Sequence, residues 1–182
     1  MSNKYIAIGE GLGQFQDLHQ ANTYKLKLQE IVEVDDFSYS LWEVIKAQPS
    51  TLQELLKINP AIEANALKTT LANLESKGAI VKFPDTYSSE FFDRFSLVPK
   101  GQAGTQNGNL YTVMSFPKHN PVEMPVVSYL IWFHAHPIMP CSNVLQAVHD
   151  DSGIALGSIA EEFMNWIPLL ITCDVLSLRP LG

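Results

Sequence analysis

The sequence predicts an α+β protein made of two similar halves, each with strands first, then three helices, then a closing strand. Three observations carry this. Hydrophobic residues make up 46% of 182 residues, enough apolar material for one domain or two small cores. The apolar period changes from about two to helical near Phe37 and returns to two near Ala79. Residues of like type then recur in the same order, between 87 and 96 positions later. Tyr5-Ile-Ala-Ile8 matches Phe95-Ser-Leu-Val98, Gly11 matches Gly101, and Tyr24-x-Leu26 matches Tyr111-x-Val113. Ser40 to Pro49 matches Ser128 to Pro137, and Leu71, Leu74 and Ile80 match Ile167, Leu170 and Leu176. Ordered matches at a nearly constant offset point to duplication.

The elements follow in order. Tyr5-Ile-Ala-Ile8 reads as a short strand, and Gly9-Glu-Gly-Leu-Gly13 as a glycine-rich hairpin turn. No Gly-Lys-Ser/Thr follows, so a phosphate loop is not expected there. The matching Lys100 to Gly108 stretch implies a repeated loop. Tyr24, Leu26 and Leu28 alternate on one face of a strand or hairpin that slips near Ile31-Val32. Phe37, Leu41, Val44 and Ile45 have helical spacing, and Pro49 follows them. Thr51-Leu-Gln-Glu54 is a capping pattern that opens a second helix, Leu52 to about Ile58. Leu67, Thr70, Leu71 and Leu74 form one stripe of a third helix from Glu63 to Ser76, which Lys77-Gly78 ends. Ala79 to Phe83 reads as a strand. The third helix of the second half is expected over Ser158 to Asp174, with Pro168 kinking it or starting a new segment. The domains are therefore placed at 1–84 and 93–182, with the junction in Pro84 to Phe92.

Leu41-Trp42, Thr51-x-x-Glu54-Leu55, Leu67-x-x-x-Leu71-x-x-Leu74 and Gly78-Ala-Ile80 together resemble the winged helix-turn-helix superfamily. The resemblance implies two tandem winged-helix-like domains, each with strands, three helices and a wing strand. Strands that precede the helices, with Leu-Trp in the first helix, look like the PqqD-type peptide-recognition elements of modified-peptide biosynthesis. Those bind a leader peptide as an added strand, between a strand and the third helix. Carried over, the resemblance puts the peptide on an edge such as Tyr24 to Ile31. Tyr24, Leu26, Leu28, Leu67 and Leu71 would then be the peptide-binding residues.

Charge narrows the partners. The net charge is −7, and Arg94 and Arg179 are the only arginines among twelve cations. Neither half is basic: eight Lys/Arg face twelve Asp/Glu up to residue 92, and four face seven beyond it. Such a chain is poorly suited to nucleic acid. The second expectation is nonetheless a transcription regulator, touching DNA through Asn65, Lys68, Thr69 and Lys77 and forming a homodimer through its second domain. The later third helix, with Phe163, Trp166 and Ile167 and no cation, reads as core or interface.

Enzymatic signals are sparse. His134-Ala-His136-Pro137 resembles the zinc motif of JAMM-type isopeptidases, with Ser142 in the serine role. The position expected to hold the aspartate is Leu145. Two residues apart on a helix, the histidines would diverge, so an ordinary helix end is the simpler reading. Cys141 and Cys173 cannot make a disulfide framework, and Cys173 reads as a small buried residue. No run reaches the ~18 apolar residues of a membrane span. A non-catalytic cytoplasmic protein is expected, with no cofactor or metal, that recognises a peptide or partner protein.

Overall fold

The computed structural model describes residues 4–15, 23–116 and 120–182, a mixed α+β structure. Contacts divide the chain into two compact units, Met1–Asp85 and Thr86–Gly182.

The first unit opens with β1 (Lys4–Ala7), β2 (Glu10–Phe15), β3 (Thr23–Lys27) and β4 (Ile31–Val34). Three helices follow, α1 (Asp36–Ala47), α2 (Leu52–Ile58) and α3 (Ala64–Ser76), and β5 (Ile80–Phe83) closes the unit. Two antiparallel sheets result, one pairing β1 with β5 and one of order β2-β3-β4. Asp35 caps α1, accepting from the Ser38 N–H at 2.8 Å. Thr51 and Glu54 form a reciprocal capping box on α2. The stripe Leu67, Leu71 and Leu74 is buried, and Gly78 at φ 71 reverses the chain after α3. Its reversal lets the Ala79 N–H reach back to the Leu74 carbonyl at 2.9 Å, a Schellman closure.

The second unit begins with α4 (Ser89–Phe92), β6 (Phe95–Pro99), β7 (Gln102–Asn107), β8 (Leu110–Met114) and β9 (Pro121–Pro125). Next come α5 (Val126–His134), α6 (Cys141–Ser152), α7 (Leu156–Thr172) and β10 (Leu176–Pro180). Its sheets have the order β10-β6 and β7-β8-β9. The same closure ends α7, with Val175 N–H on the Leu170 carbonyl at 3.1 Å and Asp174 in the left-handed region at φ 56.

One side chain anchors each unit. Trp42 is fully buried, and its indole N–H bonds both the Ile8 and Ala79 carbonyls, at 3.2 and 3.0 Å. Trp132 does the same with Lys100 and Val175, at 3.0 and 2.9 Å. A tyrosine stack leads to each indole: Tyr24 on Tyr39 at 4.6 Å, and Tyr111 on Tyr129 at 4.5 Å. These pairs set the repeat of the first helix at 90 residues, not the 88 read from Ser40 and Ser128.

Several expectations need correction. Gly9 to Gly13 is not a turn. It leads into strand β2, with a bulge between Gly11 and Gly13, and Lys100 to Gly108 likewise contains strand β7. The reason is steric: at Gly9 and Gly101 a Cβ would collide with the carbonyls of Lys27 and Met114 on the neighbouring strands. Gly9 is thus the counterpart of Gly101, in place of Gly11. The expected start of the second domain at residue 93 also moves. Phe92 is fully buried and packs edge-on to Phe163 at 4.9 Å, with Tyr87 stacked on it, so the second unit starts before residue 93. Pro168 does not break α7, because Phe163, Ile167, Leu170 and Ile171 are buried on both sides of it and hold one helix together.

Removing the indole donors tests this frame. Trp42→Phe and Trp132→Phe should each destabilise their own unit by about 2–3 kcal/mol, since each leaves two buried carbonyls short of a donor and a small void. Amide exchange resolved by residue would locate the loss. At Gly78, where an added Cβ meets nothing within 4 Å, Gly78→Ala should cost only about 1 kcal/mol, the strain of a positive φ.

Candidate functional site

β4 is an edge strand, and its outward groups follow from the hairpin. The Leu28 N–H bonds the Glu30 carbonyl at 3.0 Å. Lys27–Ile31 and Lys25–Glu33 are therefore pairs without mutual backbone bonds, because an antiparallel ladder alternates. Ile31 and Glu33 turn their N–H and C=O groups away from β3. The Glu33 carbonyl accepts from Lys77 Nζ at 2.8 Å, which confirms that direction. The Ile31 side chain is 60% exposed.

Between this edge and α3 lies a groove of ≈ 320 Å³, lined by Thr23, Glu33, Val34, Asp35, Ser38, Asn73, Leu74 and Lys77. Its charges are internally balanced. Lys25 Nζ lies 3.3 Å from the Glu33 carboxylate. Asp35 accepts from both the backbone and hydroxyl of Ser38, each at 2.8 Å. Burial acts to raise the Asp35 carboxyl, but the Ser38 bonds outweigh it and hold the carboxyl below its ordinary value.

The residues expected to bind peptide lie elsewhere. Leu26, Leu67 and Leu71 are core, all at 2% exposure or less. Tyr24 is half-buried in its stack with Tyr39, and Leu28 packs on the same core. The strand they mark, β3, is the centre of its sheet, bonded by β2 and β4 on its two sides, so the Tyr24 to Ile31 edge is corrected to β4. Of the expected DNA contacts, Asn65, Lys68 and Thr69 are exposed on α3, where the Thr69 hydroxyl donates to the Asn65 carbonyl at 3.0 Å. Lys77 is on the β4 edge. Of the Leu67, Leu71 and Leu74 stripe expected to close the cleft, Leu74 reaches the groove, with Asn73 beside it, one turn before Lys77.

In the second unit the matching edge is β9. The Ser115 N–H bonds the Asn120 carbonyl, which turns Pro121, Glu123 and Pro125 outward by the same alternation. Two of those three lack an N–H, a usual way to blunt an edge strand.

The other candidates are accounted for by packing. His134 ends α5 and its Nε2 lies 3.2 Å from the Asp151 carboxylate, while His136 lies beyond the helix. Among the described residues no three His, Cys, Asp or Glu side chains come together to hold a metal ion. Nor is any described helix long and apolar enough to cross a membrane. Cys141 is buried and its thiol donates to the Phe95 carbonyl at 3.2 Å. Cys173, read as buried, is only half-buried.

Burial pushes the Cys141 thiol up to about 12, so it is a protonated and unreactive group at neutral pH. Native protein should withhold Cys141 from alkylation until it unfolds. The unfolded thiol ionises near its ordinary 9.0 while the folded one resists, so stability should fall as pH rises from 9.0 toward about 12. Urea unfolding at neutral and alkaline pH measures this.

No family model matches this chain, and no curated protein or solved structure matches it.

Proposed function

We propose that the protein is a non-catalytic recognition module that binds an extended segment of a peptide or partner protein, such as a leader peptide in a maturation complex, as an added strand on β4. The observation that carries this is the open β4 edge beside the α3 groove. Ile31 and Glu33 offer backbone donors and acceptors outward, and Val34 and Leu74 line the groove next to them. Backbone pairing supplies affinity in such a mode, and the groove supplies selectivity. The likeness to winged-helix peptide-recognition elements points the same way, since they too bind between a strand and the third helix.

The charge pattern favours a peptide over DNA. The exposed face of α3 offers a single cation, Lys68, and the chain as a whole is acidic. The two units are not equivalent in this reading. Proline at two outward positions of β9 leaves only Glu123 to donate there, so β9 is a poorer acceptor of an added strand than β4.

Ile31→Pro tests the reading by giving β4 the residue that β9 carries at the matching place. Its N–H points outward and its side chain is exposed, so the fold should lose no more than about 1 kcal/mol. The ligand retained by protein purified from its own host at low salt, identified by native mass spectrometry, should bind wild type one per chain and fail on Ile31→Pro. Unchanged binding by a well-folded Ile31→Pro variant would sink strand addition.

A further inference from the structure

We propose that Lys77 is a displaceable clasp on the β4 edge, and that it makes the site select extended peptides carrying a carboxylate. The inference rests on the strand-addition reading of the same edge and concerns how that edge is kept closed and what opens it.

Lys77 is the C-cap residue of α3, and its exposed side chain reaches over to the strand. Its ammonium donates to the Glu33 carbonyl at 2.8 Å. That carbonyl is one of the two that β4 turns outward, so an added strand needs it for its own N–H. Lys77 must therefore leave when a strand pairs there. Once displaced, the exposed ammonium stands in water beside the added strand, and the neighbouring carboxylates already carry partners. Glu33 Oε1 is paired with Lys25 at 3.3 Å, and Glu75 with Lys82 at 3.2 Å. Both Asp35 oxygens hold Ser38. The last carbonyls of α3 accept too: Leu74 from Ala79, Glu75 from Gly78, and Asn73 from Lys77 N–H and the Ser76 hydroxyl. The end of a helix also favours keeping a cation close to it. A carboxylate on the incoming peptide would pair with that ammonium in a charge-assisted bond, which a neutral side chain cannot match.

The second unit supports this independently. At the position matching Lys77, three residues after the last buried leucine of the helix, stands Cys173. Its β9 edge is already blunted by Pro121 and Pro125 and has no need of a clasp. The cation thus stands beside β4, which carries no proline, and is missing beside β9, which carries two.

The test uses full-length, nitrogen-15-labelled wild type, Lys77→Met and Lys77→Arg. Each is titrated with two acetylated and amidated peptides, Thr-Tyr-Xaa-Leu-Xaa-Val, in which both Xaa are Glu or both are Gln. The frame copies β3, the strand that β4 already accepts on its other side. The amide shifts of Ile31 and Glu33 report binding. Wild type should prefer the Glu peptide by about fivefold at low salt, with the preference shrinking as salt is added. Lys77→Arg should keep the preference. Lys77→Met should abolish it, with the Gln peptide binding more tightly than to wild type because no clasp is displaced. An unchanged Glu-to-Gln ratio in Lys77→Met, with both amides still shifting, overturns the clasp and leaves strand addition standing. If neither peptide moves the Ile31 and Glu33 amides in any of the three proteins, both fall together.

Discussion

One indole N–H in each unit holds together three parts of the chain that are far apart in sequence. Trp42 on α1 bonds the residue that follows β1 and the residue that precedes β5, separated from it by 34 and 37 positions. Those two residues also bond each other, Ile8 N–H to the Ala79 carbonyl at 2.8 Å. The arrangement repeats with Lys100, Val175 and Trp132. A donor with no exposure must find acceptors inside, and it finds two where the outer strands meet. The Schellman closure at Gly78 or Asp174 delivers the last strand to that point. α1 packs against β1 of the outer pair and against β3 of the second sheet, which ties the two sheets to one helix.

The same frame has then diverged at one edge. Its backbone alternation turns residues 31 and 33 outward in one unit and residues 121, 123 and 125 outward in the other. Side chains decide what those positions do. Proline removes donors in the second unit, and a lysine from the neighbouring helix covers an acceptor in the first. An exposed strand edge is a liability for any soluble protein, and these are two ways of managing it. A proline edge is closed for good. A lysine edge can open, because its cover is a flexible side chain held by one hydrogen bond. On the strand-addition proposal, that difference separates the closed edge from the one that binds.

Much of the element pattern was readable along the chain. The capping box at Thr51 and Glu54, the Leu67-Leu71-Leu74 stripe and the Lys77-Gly78 stop are local chemistry, and each lies where the residue types require. The alternation expected to slip near Ile31 instead ends in a turn at Leu28 to Glu30, and the β3–β4 register runs without a shift. The candidate site was read less well. Tyr24, Leu26 and Leu28 were recognised as one face of a strand, but alternation reveals which side chains share a face and says nothing about which strands lie on either side. β3 has neighbours on both. The glycine-rich runs were misread for a related reason: the close approach of Lys27 to Gly9, and of Met114 to Gly101, crosses from strand to strand.

Residue order and chemistry alone therefore settled the mixed α+β class, the caps and stops of the first unit's helices and the acidic, arginine-poor composition. All of these depend on interactions within a few residues or on composition. Strand order, the double bond of each tryptophan, the placement of Lys77 over Glu33 and the identity of the free edge were decided in three dimensions. Each joins residues tens of positions apart, and nothing local in the chain distinguishes a paired strand from an open one.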